Sequence, residues 1–78
     1  MIKICLFGAS GKMGRAVIKE ATYHDDIRLT NFIVHESSKA LNLDVGKFHF
    51  KKSDNKTFEA SINHDFDCIV DFATRENV

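Results

Sequence analysis

Short runs of apolar residues divide this chain and predict where its strands lie. Residues 2–7 are almost continuously apolar, and residues 27–34 and 66–72 are similarly rich in apolar and β-branched side chains. An almost continuous apolar run like the first is typical of a strand buried on both faces of a parallel sheet. We therefore predict strands at these three places.

A helix is predicted between the first two strands. Residues 13–23 repeat apolar side chains close to an i, i+3, i+4 spacing, which gives one apolar stripe facing a core. The stripe comprises Met13, Ala16, Val17 and Ala21, with Ile18 and Tyr23 on its flank. Strand, helix and strand together occupy about 33 residues, the length of one βαβ unit, and a right-handed crossover makes its strands parallel.

The pattern between the second and third strands is weaker. Residues 53–56 have the composition of a turn, and residues 57–63 fit a short helix with Phe58 and Ile62 on one face. Three apolar residues before this turn indicate a short strand or an edge segment: Val45, Phe48 and Phe50. No proline and no Gly/Ser-rich linker interrupts the chain, so we predict one domain.

A glycine-rich loop joins the first strand to the first helix with the spacing Gly8-x-x-Gly11-x-x-Gly14. Gly8 would allow a sharp turn off the strand, Gly11 would let a pyrophosphate approach the backbone, and Gly14 would let the helix pack closely. The unpaired N–H groups of the first helical turn attract phosphate. The loop therefore predicts the N-terminal part of a dinucleotide-binding α/β domain, with a Rossmann-like parallel sheet and flanking helices. The alternative is a glycine turn with only a packing role.

Polar side chains of the loop each have two interpretations. Lys12 and Arg15 could contact the pyrophosphate or a ribose 2′-phosphate, or they could be solvent-exposed cations of the helix. Ser10 could donate its hydroxyl to a phosphate, or it could cap the helix.

Two polar residues follow the second strand, where this fold places an acidic group on the ribose hydroxyls. Glu36 lies about 22 residues after Gly14, near the usual separation of about 20, and the alternative is a surface glutamate. His35 could stack on adenine or lie near a 2′-phosphate, or it could be a surface residue. The other histidines are interpreted as surface or packing residues: His24, His49 and His64.

Composition and charge exclude several classes of partner. Lysine plus arginine and aspartate plus glutamate each number 11, so the chain has neither a basic surface for nucleic acid nor a polybasic membrane patch. No apolar run approaches the roughly 20 residues that cross a bilayer, and no signal peptide is recognisable. We expect a cytoplasmic protein. Cys5 and Cys68 lie in apolar runs without partners at metal-ligand spacing, and we predict buried thiols.

Three segments resemble the dihydrodipicolinate reductases. Residues 8–15, Gly-Ala-Ser-Gly-Lys-Met-Gly-Arg, resemble the glycine loop of that family. Residues 67–76, which include Asp71-Phe72, resemble its D-x-x-[IV]-D-F-[ST]-x-P-E segment, and Asp44-Val45-Gly46 resembles a D-x-G between them. The resemblance covers residues 2–78 and corresponds to the N-terminal, cofactor-binding portion of the family's protein.

The resemblance implies NADH or NADPH as cofactor and hydride transfer to a cyclic imine acid of the lysine and diaminopimelate pathway. It implies that Phe72, Ala73 and Thr74 lie along the nicotinamide ribose and ring, although Phe72 could instead pack in the core. The substrate-binding sheet, the catalytic segment and a homotetramer interface would lie beyond Val78, so the chain alone would be inactive and no catalytic residue is assigned. The pyrophosphate would be held by Gly8, Ala9, Ser10, Gly11, Lys12 and Met13.

Two positions depart from the family pattern and bear on the choice of cofactor. Arg75 stands where the family usually has a proline, and Val34 stands where an acidic residue is usual in an ungapped match. Lys12 and His35 favour tolerance of NADPH. Two other interpretations stay open: another nucleotide-binding module, such as a sugar-nucleotide epimerase-like or redox-sensing regulatory domain, and a structural fragment that binds no nucleotide.

Overall fold

The computed structural model of the chain describes residues 1–72, which form a parallel sheet with helices beside it. The elements in chain order are β1 (Ile2–Phe7), α1 (Lys12–Ala21), β2 (Ile27–Ile33), α2 (Val45–Phe50) and β3 (Cys68–Asp71). The strand order is β2-β1-β3, and both pairs are parallel. The fold is therefore the Rossmann-like α/β fold that the sequence predicts.

The register brings the carboxyl ends of the three strands to one edge. Phe7 pairs with Ile33 on one side and with Asp71 on the other, and an irregularity between Ile4 and Cys5 shifts the β1–β2 register. Because β2 and β3 lie on opposite sides of β1, the direction of strand succession reverses there. Such a switch point leaves a crevice beyond the strand ends, where ligands of this fold class bind.

The core lies between the sheet, α1 and the chain segment around α2. Phe58, Leu6 and Val45 are its largest fully buried apolar side chains. The other buried members of the cluster are Ala9, Ile18, Leu29, Phe32, Val34 and Ala40. The cluster thus joins residues from the strands to four residues of the 34–58 segment, which anchor that segment to the core: Val34, Ala40, Val45 and Phe58.

The predicted apolar stripe of α1 is confirmed only in its second half, where Val17 and Ala21 pack against the core. Met13 is 55% exposed and Ala16 is also exposed, whereas Gly14 and Ile18 are the buried residues of the helix. The reason is that α1 approaches the preceding loop through Gly14, and this close contact fixes the rotation of the helix.

The segment at residues 45–50 is helix α2, whereas the sequence predicted a short strand or edge segment. The Asp44 carboxylate accepts from the Lys47 backbone N–H at 2.9 Å and so caps the N-terminus of the helix. Its other carboxylate oxygen accepts from the Ser53 hydroxyl at 2.6 Å. The helix ends at Phe50, and its C-cap residue Lys51 adopts the left-handed conformation with φ 62°. These capping interactions outweigh the alternation of aromatic residues.

The short helix predicted at residues 57–63 is also wrong. Thr57 forms an antiparallel bridge with Asp44, and Glu59 forms a parallel bridge with Ile33. The Glu59 N–H donates to Phe32 O, and the Val34 N–H donates to Glu59 O, each at 2.9 Å. This segment is therefore extended along the outer edge of β2, because its backbone pairs with strand groups that would otherwise lack partners.

The two cysteines differ in environment. Cys5 is fully buried in β1, as predicted, and burial raises the pKa of its thiol. Cys68 is exposed, so the prediction of a buried thiol is wrong there. It begins the edge strand β3, which is only four residues long and whose Ile69 is 52% exposed. No helix among the described residues 1–72 is long and apolar enough to cross a bilayer.

Asn31 is the buried polar residue of β2, and it anchors the segment before β3. Its side-chain oxygen accepts from the backbone N–H groups of Asn63 and His64 at 3.2 and 3.1 Å. Its amide group donates to the His64 carbonyl at 2.9 Å and to the Thr30 hydroxyl at 3.0 Å. One buried amide thus satisfies three backbone groups of a segment without regular structure.

We expect Asn31→Leu to lower the free energy of unfolding by about 2–4 kcal/mol, because three backbone groups would lose their partner. Urea denaturation followed by circular dichroism measures this. Ser61→Ala, an exposed change on the same segment, serves as the control. A loss no larger for Asn31→Leu than for Ser61→Ala would contradict the anchoring role.

The cap of α2 predicts a specific dependence of stability on pH. Hydrogen bonds from the Ser53 hydroxyl and the Lys47 N–H hold the pKa of Asp44 below its usual value. A carboxyl group with a lowered pKa in the folded state adds stability above its unfolded-state pKa near 4, and this stability is lost as the pH falls through the folded-state pKa. We expect Asp44→Asn to flatten the fall in stability below about pH 4.

Urea denaturation across a pH series gives this slope directly. Ser53→Ala removes the largest cause of the lowered pKa, so its slope is expected to fall between those of the wild type and Asp44→Asn. Equal slopes for all three proteins would refute the assignment.

Candidate functional site

The glycine loop begins where β1 meets the end of β2. Gly8 has φ 74°, a left-handed conformation that favours glycine. The N–H groups of Gly8 and Ala9 both donate to the Ile33 carbonyl, at 3.0 and 3.2 Å. The loop is therefore fixed to the carboxyl end of the neighbouring strand, beside the switch point of the sheet.

The N-terminus of α1 presents backbone N–H groups without acceptors. Gly11 is the N-cap residue and no side chain caps the helix. The first N–H of the helix that finds a carbonyl is that of Arg15, which donates to Gly11 O at 2.9 Å. Within residues 1–72, the N–H groups of Lys12, Met13 and Gly14 meet no hydrogen-bond acceptor. This arrangement suits an anion, because the helix dipole adds to the free donors.

Ser10 does not cap the helix, so that alternative is wrong. Its side chain makes no hydrogen bond with the described residues and is half-buried in the loop. The hydroxyl is thus available to a ligand at the same helix terminus.

Gly14 packs the helix onto the loop. A Cβ at this position would lie 2.5 Å from the Gly8 carbonyl oxygen and 2.6 Å from the Ala9 carbonyl oxygen. The close packing that the sequence predicted at Gly14 is therefore present, and the groups in contact with Gly14 are the carbonyls of Gly8 and Ala9. The loop and the first turn of α1 are therefore in close contact.

The two cations of the loop differ in their contacts. The Arg15 Nε donates to the His49 carbonyl at 3.3 Å, and its guanidinium carbon lies 4.9 Å from the centre of the Phe50 ring. Arg15 thus joins α1 to α2, and neither predicted interpretation described this contact. Lys12 is exposed at the first position of α1 and has no ion pair among residues 1–72.

His35 and Glu36 follow β2 at the same edge of the sheet as the loop. His35 Nδ1 accepts from the Ser37 backbone N–H at 3.1 Å and lies 2.7 Å from the Ser37 hydroxyl oxygen. Both residues are exposed, and no hydrogen bond joins either of them to the loop. The structure therefore places them at the same edge as the loop without a direct hydrogen bond to it.

Phe72 follows β3 at this edge. Its N–H donates to the Phe7 carbonyl at 3.0 Å, and its ring is partly buried against the core. The packing interpretation of Phe72 is therefore supported. Phe72 also lies one residue past β3 and next to Phe7, the residue that precedes Gly8. Ala73 and Thr74 lie outside the described residues.

His49 is a site residue that sequence reasoning missed. It was interpreted as a surface or packing residue, yet its Nε2 donates to the Ala9 carbonyl oxygen at 2.7 Å. The only signal in the sequence was indirect. Recognising Asp44 as a helix cap would have placed His49 on a helix, but not beside the loop.

A cavity of about 440 Å³ lies on another part of the molecule, beside Lys3 and Arg28 near the amino ends of β1 and β2. It does not include the glycine loop. Among residues 1–72, no group of three or more histidine, cysteine, aspartate or glutamate side chains is arranged to hold a metal ion.

Comparison with known proteins agrees with this geometry. The sequence profile of the family described as "Dihydrodipicolinate reductase, N-terminus" matches residues 2–78. The chain belongs to this family. A 4-hydroxy-tetrahydrodipicolinate reductase of Neisseria meningitidis serogroup C (strain 053442) is 40% identical over 45 residues. A protein of the same name from Neisseria gonorrhoeae (strain NCCP11945) matches equally. Each match covers 58% of this chain and 17% of the relative, so the matched segment is a small part of a much longer protein.

The close contact at Gly14 gives a prediction about stability in this member of the reductase family. Helix propensity alone would make Gly14→Ala stabilising by about 1 kcal/mol. We expect a loss of about 3 kcal/mol instead, because the new Cβ would overlap two loop carbonyls. Ala16→Gly, an exposed change in the same helix, should cost about 1 kcal/mol. Thermal or urea unfolding of both variants measures these changes. A stabilised Gly14→Ala variant would disprove the close contact between Gly14 and the loop carbonyls.

Proposed function

We propose that this chain is the N-terminal part of a dinucleotide-binding domain and that residues 8–14 bind the diphosphate of NADH or NADPH. The observation that carries the proposal is the row of free N–H groups at Lys12, Met13 and Gly14. They lie at the carboxyl edge of a parallel sheet, beside its switch point, where this fold class binds nucleotides. Gly11, which has no Cβ, adjoins these N–H groups and leaves room for a phosphate.

The adenosine half of the cofactor would extend toward the end of β2. His35 Nδ1 accepts a hydrogen bond from the Ser37 N–H, so in the neutral ring the proton is on Nε2, which can donate to a ribose hydroxyl or a 2′-phosphate. Glu36 would accept from ribose hydroxyls. Lys12, exposed and without an ion pair among the described residues, favours acceptance of the 2′-phosphate of NADPH. The nicotinamide half would extend past β3 along Phe72, Ala73 and Thr74.

The whole protein would act as an NAD(P)H-dependent reductase in lysine and diaminopimelate biosynthesis, in keeping with the names of its relatives. The cofactor supplies a hydride, and the substrate is a cyclic imine acid. This chain contributes binding and orientation. The substrate-binding residues, the catalytic residues and a homotetramer interface belong to the protein beyond Val78, and we expect a cytoplasmic enzyme.

Gly11→Val tests the proposal. Gly11 has φ −81° and ψ 179°, an extended conformation that any residue adopts, so the variant should fold. The branched side chain would occupy the path of the diphosphate. We expect the affinity for NADH and NADPH to fall by at least about tenfold, measured by nicotinamide fluorescence.

Ala16→Val is the matched control, because it adds the same side chain on the exposed face of α1, one turn farther from the loop. It should leave cofactor affinity unchanged. Unaltered affinity in a folded Gly11→Val variant would rule out the loop as the diphosphate site.

A further inference from the structure

The Ala9 carbonyl is the point where the glycine loop, α1 and α2 meet. Its oxygen accepts from His49 Nε2 at 2.7 Å. The same oxygen lies on the side of the loop against which Gly14 packs. Ala9 itself is fully buried. A backbone group of the loop is therefore held by a side chain 40 residues later in the chain.

From this contact we infer that His49 is a positioning residue for the cofactor site. It keeps the Ala9 carbonyl directed into the protein, so that the N–H groups of the loop, and not a carbonyl, face the diphosphate. This inference rests on the function proposed above, since it assigns a residue to the same site. His49 itself does not touch the cofactor.

The hydrogen bond fixes the role of each ring nitrogen. A carbonyl oxygen only accepts, so His49 Nε2 must carry the proton and donate. The donated bond satisfies the Ala9 oxygen at a place where water has little access, because Ala9 is fully buried. An unsatisfied carbonyl here would turn toward another donor, and the first turn of α1 offers N–H groups without acceptors among residues 1–72.

Aromatic packing holds the imidazole in place. The ring of Phe58, which is fully buried, lies edge-on to His49 with centroids 5.7 Å apart. Phe48 lies edge-on to the same imidazole at 5.1 Å, and the Phe50 ring centroid is 5.7 Å away. Neighbours on several sides limit the rotamers of His49, so its Nε2 is preorganised to meet Ala9.

A second contact joins α2 to helix α1. The Arg15 Nε donates to the backbone carbonyl of His49, and the guanidinium lies over the Phe50 ring. α2 is therefore bound twice, once to the loop through the Ala9 carbonyl and once to α1 through Arg15. The two contacts together explain why α2, a helix of only six residues, lies against the loop.

The experiment distinguishes the effect of the His49 hydrogen bond on cofactor binding from a general loss of stability. His49→Leu removes the donor and retains an apolar side chain, whereas the amide of His49→Gln can still donate to Ala9. Thr30→Val is the control. It removes a hydroxyl that donates to the Asp65 carbonyl at 2.9 Å, on β2 and away from the loop. For each variant, dissociation constants for NADH and NADPH and the urea unfolding curve are measured. Amide exchange at Lys12 and Met13 is followed by NMR.

We expect His49→Leu to weaken binding of both dinucleotides by about three- to tenfold and to accelerate amide exchange in the loop. His49→Gln should retain affinity within about twofold. Thr30→Val should lose stability while its affinity stays at the wild-type value. If His49→Leu does not fold, His49→Asn replaces it, because that shorter amide does not reach Ala9.

Three outcomes would overturn the inference. Wild-type affinity in a folded His49→Leu or His49→Asn variant removes the role of His49 and leaves the proposed function intact. An equal loss in His49→Gln shows that donation to Ala9 is not the cause. Failure of the wild-type chain to bind either dinucleotide overturns the proposed function, and the role of His49 with it.

Discussion

The Ile33 carbonyl accepts two hydrogen bonds, from the N–H groups of Gly8 and Ala9, and the arrangement of the site depends on them. They bring the exit of β1 against the end of β2 and set the direction in which the loop leaves the sheet. Gly14 can then pack on the loop carbonyls, and α1 begins with free N–H groups at the carboxyl edge of the strands. A loop that left β1 in another direction would separate the helix dipole from the switch point.

The long segment between β2 and β3 supports this arrangement from two sides. Around α2 it supplies Val45 and Phe58 to the core, and Glu59 pairs with the free edge of β2 near Ile33. Farther on, the Asn31 side chain binds the backbone at residues 63–64. The segment has little regular structure, so its position depends on individual side chains rather than on a repeated backbone pattern. This is why single substitutions there are expected to have large effects.

Local signals in the sequence were sufficient for the glycine loop, because its spacing, the strand before it and the helix after it are adjacent in the chain. They were not sufficient for α2. Its aromatic residues alternate as in a strand, whereas the interactions that make it helical come from Asp44, Ser53 and the left-handed Lys51. The contact of His49 with Ala9 joins residues 40 positions apart. The spacing of apolar residues along the chain does not indicate contacts over such a distance. Similarly, the sequence shows Asn31 only as a polar residue within a predicted strand, and its anchoring role depends on backbone partners that the sequence does not indicate.

The three glycines of the loop are required for different physical reasons, and this limits what their spacing alone can show. Gly8 is explained by its left-handed conformation and Gly14 by its contact with the loop carbonyls, so folding alone accounts for both. Gly11 is extended, and no such backbone constraint requires a glycine there. A structural turn would therefore tolerate a larger residue at Gly11, whereas a site for a diphosphate would not. Within the motif, the proposed diphosphate site is therefore best tested at the middle position, next to the free N–H groups that follow it.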